Sequence, residues 1–115
     1  MRIHHYGIAV KDLDAAAEFY IKALNMEELF RTRWMGEDLL FLESGSMKIE
    51  LIAQTGTIGE AAHVAYQTDD LEYLAGRLQQ EGIVPSEGPY VLENGWRTVF
   101  YEGPSGEMIE FVEEQ

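Results

Sequence analysis

The chain has no cysteine. That excludes disulfides, thiolate metal ligands and thiol nucleophiles together. Basic residues are also scarce, with 8 Lys and Arg against 21 Asp and Glu, for a formal charge of -13. Such a surface repels phosphate backbones, so nucleic acid is not an expected partner. It favours solubility and attracts cations. No apolar run approaches the roughly 18–20 residues of a membrane span, and no basic-apolar-small leader opens the sequence. A cytoplasmic protein with no membrane partner is the expectation.

What is present suits a small globular fold. The 115 residues are 46% hydrophobic and 25% charged, enough for one small domain or two very small modules. The chain also repeats itself. Laying "HYGIAVKDLDAAAEF" from His5 over "HVAYQTDDLEYLAGR" from His63 brings His5 to His63, Asp12 to Asp70, Leu13 to Leu71 and Asp14 to Glu72. Laying "SGSMKIEL" over "PSGEMIEF" brings Ile49 to Ile109, Glu50 to Glu110 and Leu51 to Phe111. Both halves run His, Asp-Leu-acid, a helical pattern, then Ile-Glu before an apolar residue.

The local signals give each half one plan. Ile3–Val10 reads as a strand, and Asp12 as the N-cap of a helix carrying Leu13, Ala16, Ala17, Tyr20 and Leu24, with Asn25 as its stop. Strands are predicted over Met26–Met35, Asp38–Glu43 and Met47–Ala53. "TGTIGEA" is a linker. In the second half Ala62–Thr68 is a strand, and Asp70 caps a helix carrying Leu71, Leu74, Ala75 and Leu78 that Gly82 ends. Ile83–Glu87 reads as a short strand, "GPYVLENG" as a loop with room for a little strand, and Trp96–Glu102 and Glu107–Glu113 as strands. The expected architecture is α+β: two paired βαβββ modules forming a cupped mixed sheet with helices on the outer side. One domain spans 1–115, with module 1 over 1–54, a linker at 55–61 and module 2 over 62–115. Neither module is large enough to be stable alone.

Strand alternation sorts the polar residues by face. Tyr6, Ile8 and Val10 form an apolar set for a helix to cover, and His5, Gly7 and Ala9 point the other way. His4 shares the parity of Tyr6 and reads as a satisfied histidine at the strand edge. Glu50 opposes Met47, Ile49 and Leu51; His63 opposes Val64 and Tyr66; Glu110 opposes Ile109 and Phe111. Four strands thus send His5, Glu50, His63 and Glu110 away from the helix-covered faces. Carboxylates facing a cup are costly unless solvent or a cation neutralises them. A divalent metal resolves the charge and uses both residue types. Two imidazoles and two carboxylates suit zinc, nickel, iron(II), manganese or cobalt, with no thiolate to favour zinc.

The stretches "IHHYGIAVKDLDAAAEFY", "MKIELI", "AHVAYQTDDLE" and "PSGEMIEFVE" resemble the vicinal oxygen chelate superfamily, which includes glyoxalase I, methylmalonyl-CoA epimerase, fosfomycin-resistance proteins, extradiol dioxygenases and bleomycin-resistance proteins. The resemblance covers nearly the whole chain. It implies that His5, Glu50, His63 and Glu110 occupy the four metal-ligand positions. The two-His, two-Glu set resembles glyoxalase I of the bacterial type, which often uses nickel; epimerases of the superfamily typically carry Gln at the place of Glu50. The implied activity is isomerisation of the hemithioacetal formed by a 2-oxoaldehyde such as methylglyoxal and a thiol, glutathione or another. Nickel or zinc is the implied metal. Glu110 and Glu50 are the implied bases as well as ligands, with Glu110 preferred. The alternatives are another metal-assisted reaction on vicinal oxygens, such as epimerisation or fosfomycin modification, or small-molecule (drug) binding without catalysis. A homodimer is implied in each case.

Around the four, Phe41, Val99 and Tyr101 are expected to line an apolar pocket wall. Trp96 and Phe100 are expected on the helix side. Arg97 and Arg33 are candidates to meet an anionic substrate, each weighed against a surface salt bridge. Glu43 and Lys48 read as solvated turn residues.

Overall fold

A computed structural model of the chain describes residues 1–54, 63–104 and 106–114. Along the chain run β1 (Arg2–Val10), α1 (Leu13–Leu24), β2 (Glu27–Trp34), β3 (Glu37–Ser44), β4 (Met47–Ala53), β5 (His63–Gln67), α2 (Leu71–Gln80), β6 (Glu87–Val91), β7 (Arg97–Glu102) and β8 (Met108–Glu113). The fold is α+β, and each half is βαβββ, as the repeat predicts. The chain forms two compact units, His5–Ala62 and Met1–His4 with His63–Gln115. The expected linker at 55–61 lies outside the described residues.

In the unit His5–Ala62 the strand order is β2-β3-β4-β1. β1 pairs parallel with β4, placing Gly7 opposite Glu50 and Ile8 opposite Leu51. The two other pairings are antiparallel, with Phe41 opposite Glu50 across β3 and β4. A parallel pair needs a crossover, and α1 lies within it. Asp12 starts the helix by accepting from the Ala15 N–H at 3.0 Å, and Asn25 stops it in the left-handed region at φ 53. The helix lays Ala17 on a core of Met26, Leu40, Leu42, Ile49 and Leu51, with Ile8, Val10, Leu13, Ala16 and Tyr20 packed around it. Of these, Ile8, Val10, Ile49 and Leu51 are strand positions that alternation assigns to the helix side. Truncating a buried leucine such as Leu40 or Leu51 to alanine costs about 2–5 kcal/mol.

The other unit repeats the scheme in the order β5-β8-β7-β6. β5 pairs parallel with β8, placing Ala65 opposite Glu110. β8 pairs antiparallel with β7, placing Phe100 opposite Glu110 and Val99 opposite Phe111. Asp70 accepts from the Tyr73 N–H at 3.0 Å to start α2, and Gly82 follows its end at φ 80. Leu71 of α2 packs on Val99 and Tyr101, with Leu78 and Phe111 alongside.

One predicted strand does not form. Ile83–Glu87 is irregular up to its last residue, and the strand runs instead over Glu87–Val91, where the loop left room for a little strand. Pro85 has no N–H to give a ladder, and pairing begins only where Ser86 donates its N–H to the Phe100 carbonyl at 2.8 Å. The register of β6 against β7 then shifts between Glu87 and Tyr90. Gly88 sits in that shift at φ 90, where a Cβ would come 3.1 Å from the Thr98 carbonyl oxygen. Only glycine takes both the angle and the close approach comfortably.

Candidate metal centre

Two His–Glu pairs, one from each half, are built by the same register; His5, Glu50 and Glu110 are buried and His63 is half-buried. In the first, β1 and β4 run parallel with Gly7 opposite Glu50. His5 is two residues before Gly7 and so on its face. Gly7 has no side chain to stand in the way, and His5 Nε2 lies 3.3 Å from Glu50 Oε1. In the second, Ala65 is opposite Glu110, and His63 is two residues before Ala65. His63 Nε2 lies 2.7 Å from Glu110 Oε1. Small residues at 7 and 65 thus let each imidazole reach a carboxylate on the neighbouring parallel strand.

Each glutamate also has a phenylalanine as its antiparallel partner. Phe41 faces Glu50, stands edge-on to His5 at 5.2 Å between ring centroids, and stacks on Phe30 at 4.8 Å. Phe100 faces Glu110 and lies 6.3 Å from the His63 ring. Phe41 therefore takes the expected face, but it is itself fully buried, with the half-buried Phe30 stacked on it.

Glu110 has a further partner. Thr98 on β7 donates its hydroxyl to Glu110 Oε2 at 2.5 Å. Both side chains are buried, at 2% and 5% exposure. One oxygen of this carboxylate meets an imidazole and the other a hydroxyl.

His5, Glu50, His63 and Glu110 are the candidate ligands, and their chemistry fits a divalent cation. Each pair offers an imidazole nitrogen and a carboxylate oxygen. With metal–ligand bonds of about 2.0–2.2 Å, neighbouring ligand atoms at right angles stand about 3 Å apart, close to the 3.3 and 2.7 Å of the two pairs. Buried carboxylates beside imidazoles also supply the negative charge that offsets the cost of burying an ion.

The remaining sequence candidates fall elsewhere. His4 is buried, with Nε2 2.7 Å from Glu114 Oε2 and its ring edge-on to Trp96 at 4.5 Å; it is a satisfied histidine, as expected. Val99 and Tyr101 do not line a wall beside Glu110. They belong to the core under α2 with Leu71. Alternation along β7 gives their face to the helix and gives Thr98 and Phe100 to Glu110, so Phe100 is not on the helix side either. Arg97 shares the parity of Val99. It is the register partner of Glu113, with an ion-pair distance of 3.8 Å, and so faces away from Glu110. Arg33 pairs with Asp38 at 3.0 Å on the surface. Glu43 and Lys48 are cross-strand neighbours. Burial holds the Tyr101 hydroxyl above its usual pKa.

Sequence reasoning missed Thr98, Phe100 and Phe30. A signal existed for the first: Thr98 is the one uncharged polar residue in "WRTVFYE", and it marks the face that Phe100 shares.

The model of the Glyoxalase/Bleomycin resistance protein/Dioxygenase superfamily matches residues 4–100. The uncharacterized protein YwbC of Bacillus subtilis (strain 168) is 36% identical over 124 residues, covering 97% of each chain. Among solved structures, methylmalonyl-CoA epimerase from Mycobacterium tuberculosis has a TM-score of 0.84 at 24% identity, over 99% of this chain and 88% of that one. A variant of Streptomyces coelicolor methylmalonyl-CoA epimerase in complex with 2-nitronate-propionyl-CoA has a TM-score of 0.82 at 25% identity, over 99% and 97%.

Proposed function

The chain belongs to the Glyoxalase/Bleomycin resistance protein/Dioxygenase superfamily, and on that footing we propose that it is a divalent-metal enzyme moving a proton on a carbon beside a carbonyl. The observation that carries this is the repeated register, which gives each half one His–Glu pair with a buried carboxylate. His5, Glu50, His63 and Glu110 would hold one ion, nickel or zinc. When bound, the ion supplies Lewis acidity for negative charge developing on substrate oxygens. The chain's own part is proton transfer. One carboxylate, Glu50 or Glu110, takes a proton from carbon; a proton then returns either to the opposite face of the same carbon, from the other carboxylate, or to the neighbouring carbon, from the carboxylate that took it. Phe41 and Phe100 flank the two carboxylates and limit water there.

The two return positions give two reactions. Return to the same carbon is epimerisation, the reading favoured by the epimerases of like fold; a small acyl thioester with an acidic carbon between two carbonyl groups is then the substrate. Return to the neighbouring carbon is the glyoxalase reaction on a hemithioacetal, with glutathione or another thiol as cosubstrate. The glutamate at position 50, where glutamine is typical of epimerases, is the observation that favours this second reading. A cytoplasmic homodimer acting on a small molecule completes the proposal.

The test loads purified protein with nickel, zinc or cobalt and measures metal content by plasma mass spectrometry. Proton NMR in D2O then follows methylmalonyl-CoA, and an ultraviolet assay follows thioester formation from methylglyoxal and glutathione. Exchange of the acidic proton without thioester formation supports the epimerase reading, and the converse supports the glyoxalase reading. Loaded protein inactive on both substrates overturns both.

A further inference from the structure

We propose that Lys48 is a specificity-determining residue whose ammonium takes a carboxylate of the substrate. The inference rests on the proton-transfer reading above and adds the substrate class: a thioester or thiol adduct that carries a free carboxylate. Lys48 is half-buried inside β4, not in the solvated turn where the sequence reading places it. It stands two residues before Glu50 on one strand, and so on the same face, about 6.5 Å along β4. The flexible four-carbon stem lets its ammonium reach a group bound beside Glu50.

The register gives that face a direction. Glu50 and Phe41 are opposite each other across β4 and β3. On one side of them stand Lys48 and Glu43, also opposite each other, and on the other side the buried pair Ile52 and Leu39. One end of the face is charged and the other apolar, which orients a molecule with an anionic group and an apolar body. Lys48 is also singular. The chain has 8 Lys and Arg. Arg2, Arg31, Arg33 and Arg97 take the opposite parity of their strands, with Arg31 opposite Leu40 and Arg97 opposite Glu113. Lys22 and Arg77 are on helices, and Lys11 follows β1. Among the described residues, Lys48 alone brings a positive charge to the face of a candidate metal ligand. A protein of formal charge -13 repels anions at long range, and both proposed substrates are anions. A local cation offsets that repulsion where it matters. Glu43 balances the lysine across the strands, and an ammonium has three donors, so a substrate carboxylate adds to that partner rather than replacing it.

The test is calorimetric binding to zinc-loaded protein. The acid probes are S-methylglutathione and malonyl-CoA, and their counterparts without the carboxylates are S-methylglutathione dimethyl ester and propionyl-CoA. Lys48→Met is expected to weaken one of the acids by about tenfold, the weight of a hydrogen bond to a charged group. The counterpart of that acid should stay within about twofold. Which acid responds identifies the source of the carboxylate. Lys48→Arg should hold the acid to within about threefold of wild type. On the substrate that turns over, Lys48→Met should raise KM by the same factor with kcat within about twofold, as loss of uniform binding does. Added salt should raise KM in the wild type and not in Lys48→Met. Circular dichroism checks that each variant is folded. A merely structural lysine would treat acid and counterpart alike, and Glu43→Gln, which removes its cross-strand partner, would then weaken binding equally. Equal binding of both acids by wild type and Lys48→Met, equal loss of acid and counterpart, or failure of the wild type to bind either acid overturns the role of Lys48. Absence of turnover on both substrates overturns the proton-transfer reading instead, and the binding comparison decides Lys48 without it.

Discussion

His4 Nε2 lies 2.7 Å from Glu114 Oε2, in the same unit of the chain, while the very next residue, His5, meets Glu50 in the other unit. The doublet is thus two histidines with separate partners. His4→Ala removes a buried hydrogen bond and the packing on Trp96, at a cost of about 2–4 kcal/mol. Its metal content should stay at the wild-type level. His5→Ala should lose most of the bound metal. Thermal melts and plasma mass spectrometry on the two variants check this, and equal metal loss in both would contradict it.

Tyr101 is 3% exposed, and its hydroxyl has no hydrogen-bond partner among the described residues. A buried hydroxyl without a partner costs about 1–3 kcal/mol. Tyr101→Phe should therefore stabilise the protein, by about 1 kcal/mol on a denaturant titration. The sign of the pH effect follows from burial, which raises the phenol's pKa above its usual 10.0. Below that value folded and unfolded chains both hold the proton, and stability is undiminished. Above it the unfolded chain ionises first, so stability falls as pH climbs through the folded value. The phenylalanine variant should lose that part of the alkaline decline.

The two helix caps are equivalent by sequence and by structure. Asp12 and Asp70 each accept from a backbone N–H three residues on, at 3.0 Å. Asp12→Ala and Asp70→Ala should each cost about 0.5–2 kcal/mol. α2 has an added support, because Glu113 Oε1 accepts from the Leu71 N–H at 2.7 Å. Glu113→Ala should lower the melting temperature even with Asp70 intact.

Arg97 is set toward Glu113 and the α2 side of β7. Arg97→Gln is expected to leave metal affinity unchanged and kcat/KM within about twofold, the scatter of surface substitutions of about 0.5 kcal/mol. A tenfold rise in KM would return Arg97 to the substrate.

Much of this was legible in the sequence. The repeat and the period-two rule separate the faces of β1, β4, β5 and β8: Glu50, His63 and Glu110 each stand between apolar residues, and in β1 the bulky set Tyr6, Ile8 and Val10 marks the face opposite His5. β7 defeated the same rule. Val99, Phe100 and Tyr101 are apolar in succession, so alternation gives two faces without saying which belongs to the helix. Only the packing of Leu71 on Val99 and Tyr101 decides. The bounds of β6 escape the sequence for another reason. Its pairing starts after Pro85 and passes through a register shift at Gly88, and residues that break a strand elsewhere are tolerated at such a shift. The equal registers of Gly7 with Glu50 and Ala65 with Glu110 could not be read either, since register is a property of two strands and not of one.

The grouping of Met1–His4 with His63–Gln115 bears on how the molecule could be taken apart. A chain severed between Gln54 and His63 would yield two pieces, yet the opening residues of β1 would travel with the piece to which they do not belong. Neither piece could complete the second unit by itself. The halves should therefore act as complementing fragments, each poorly folded alone and regaining structure on mixing, with the short leading strand serving as the donor in a split-protein pair.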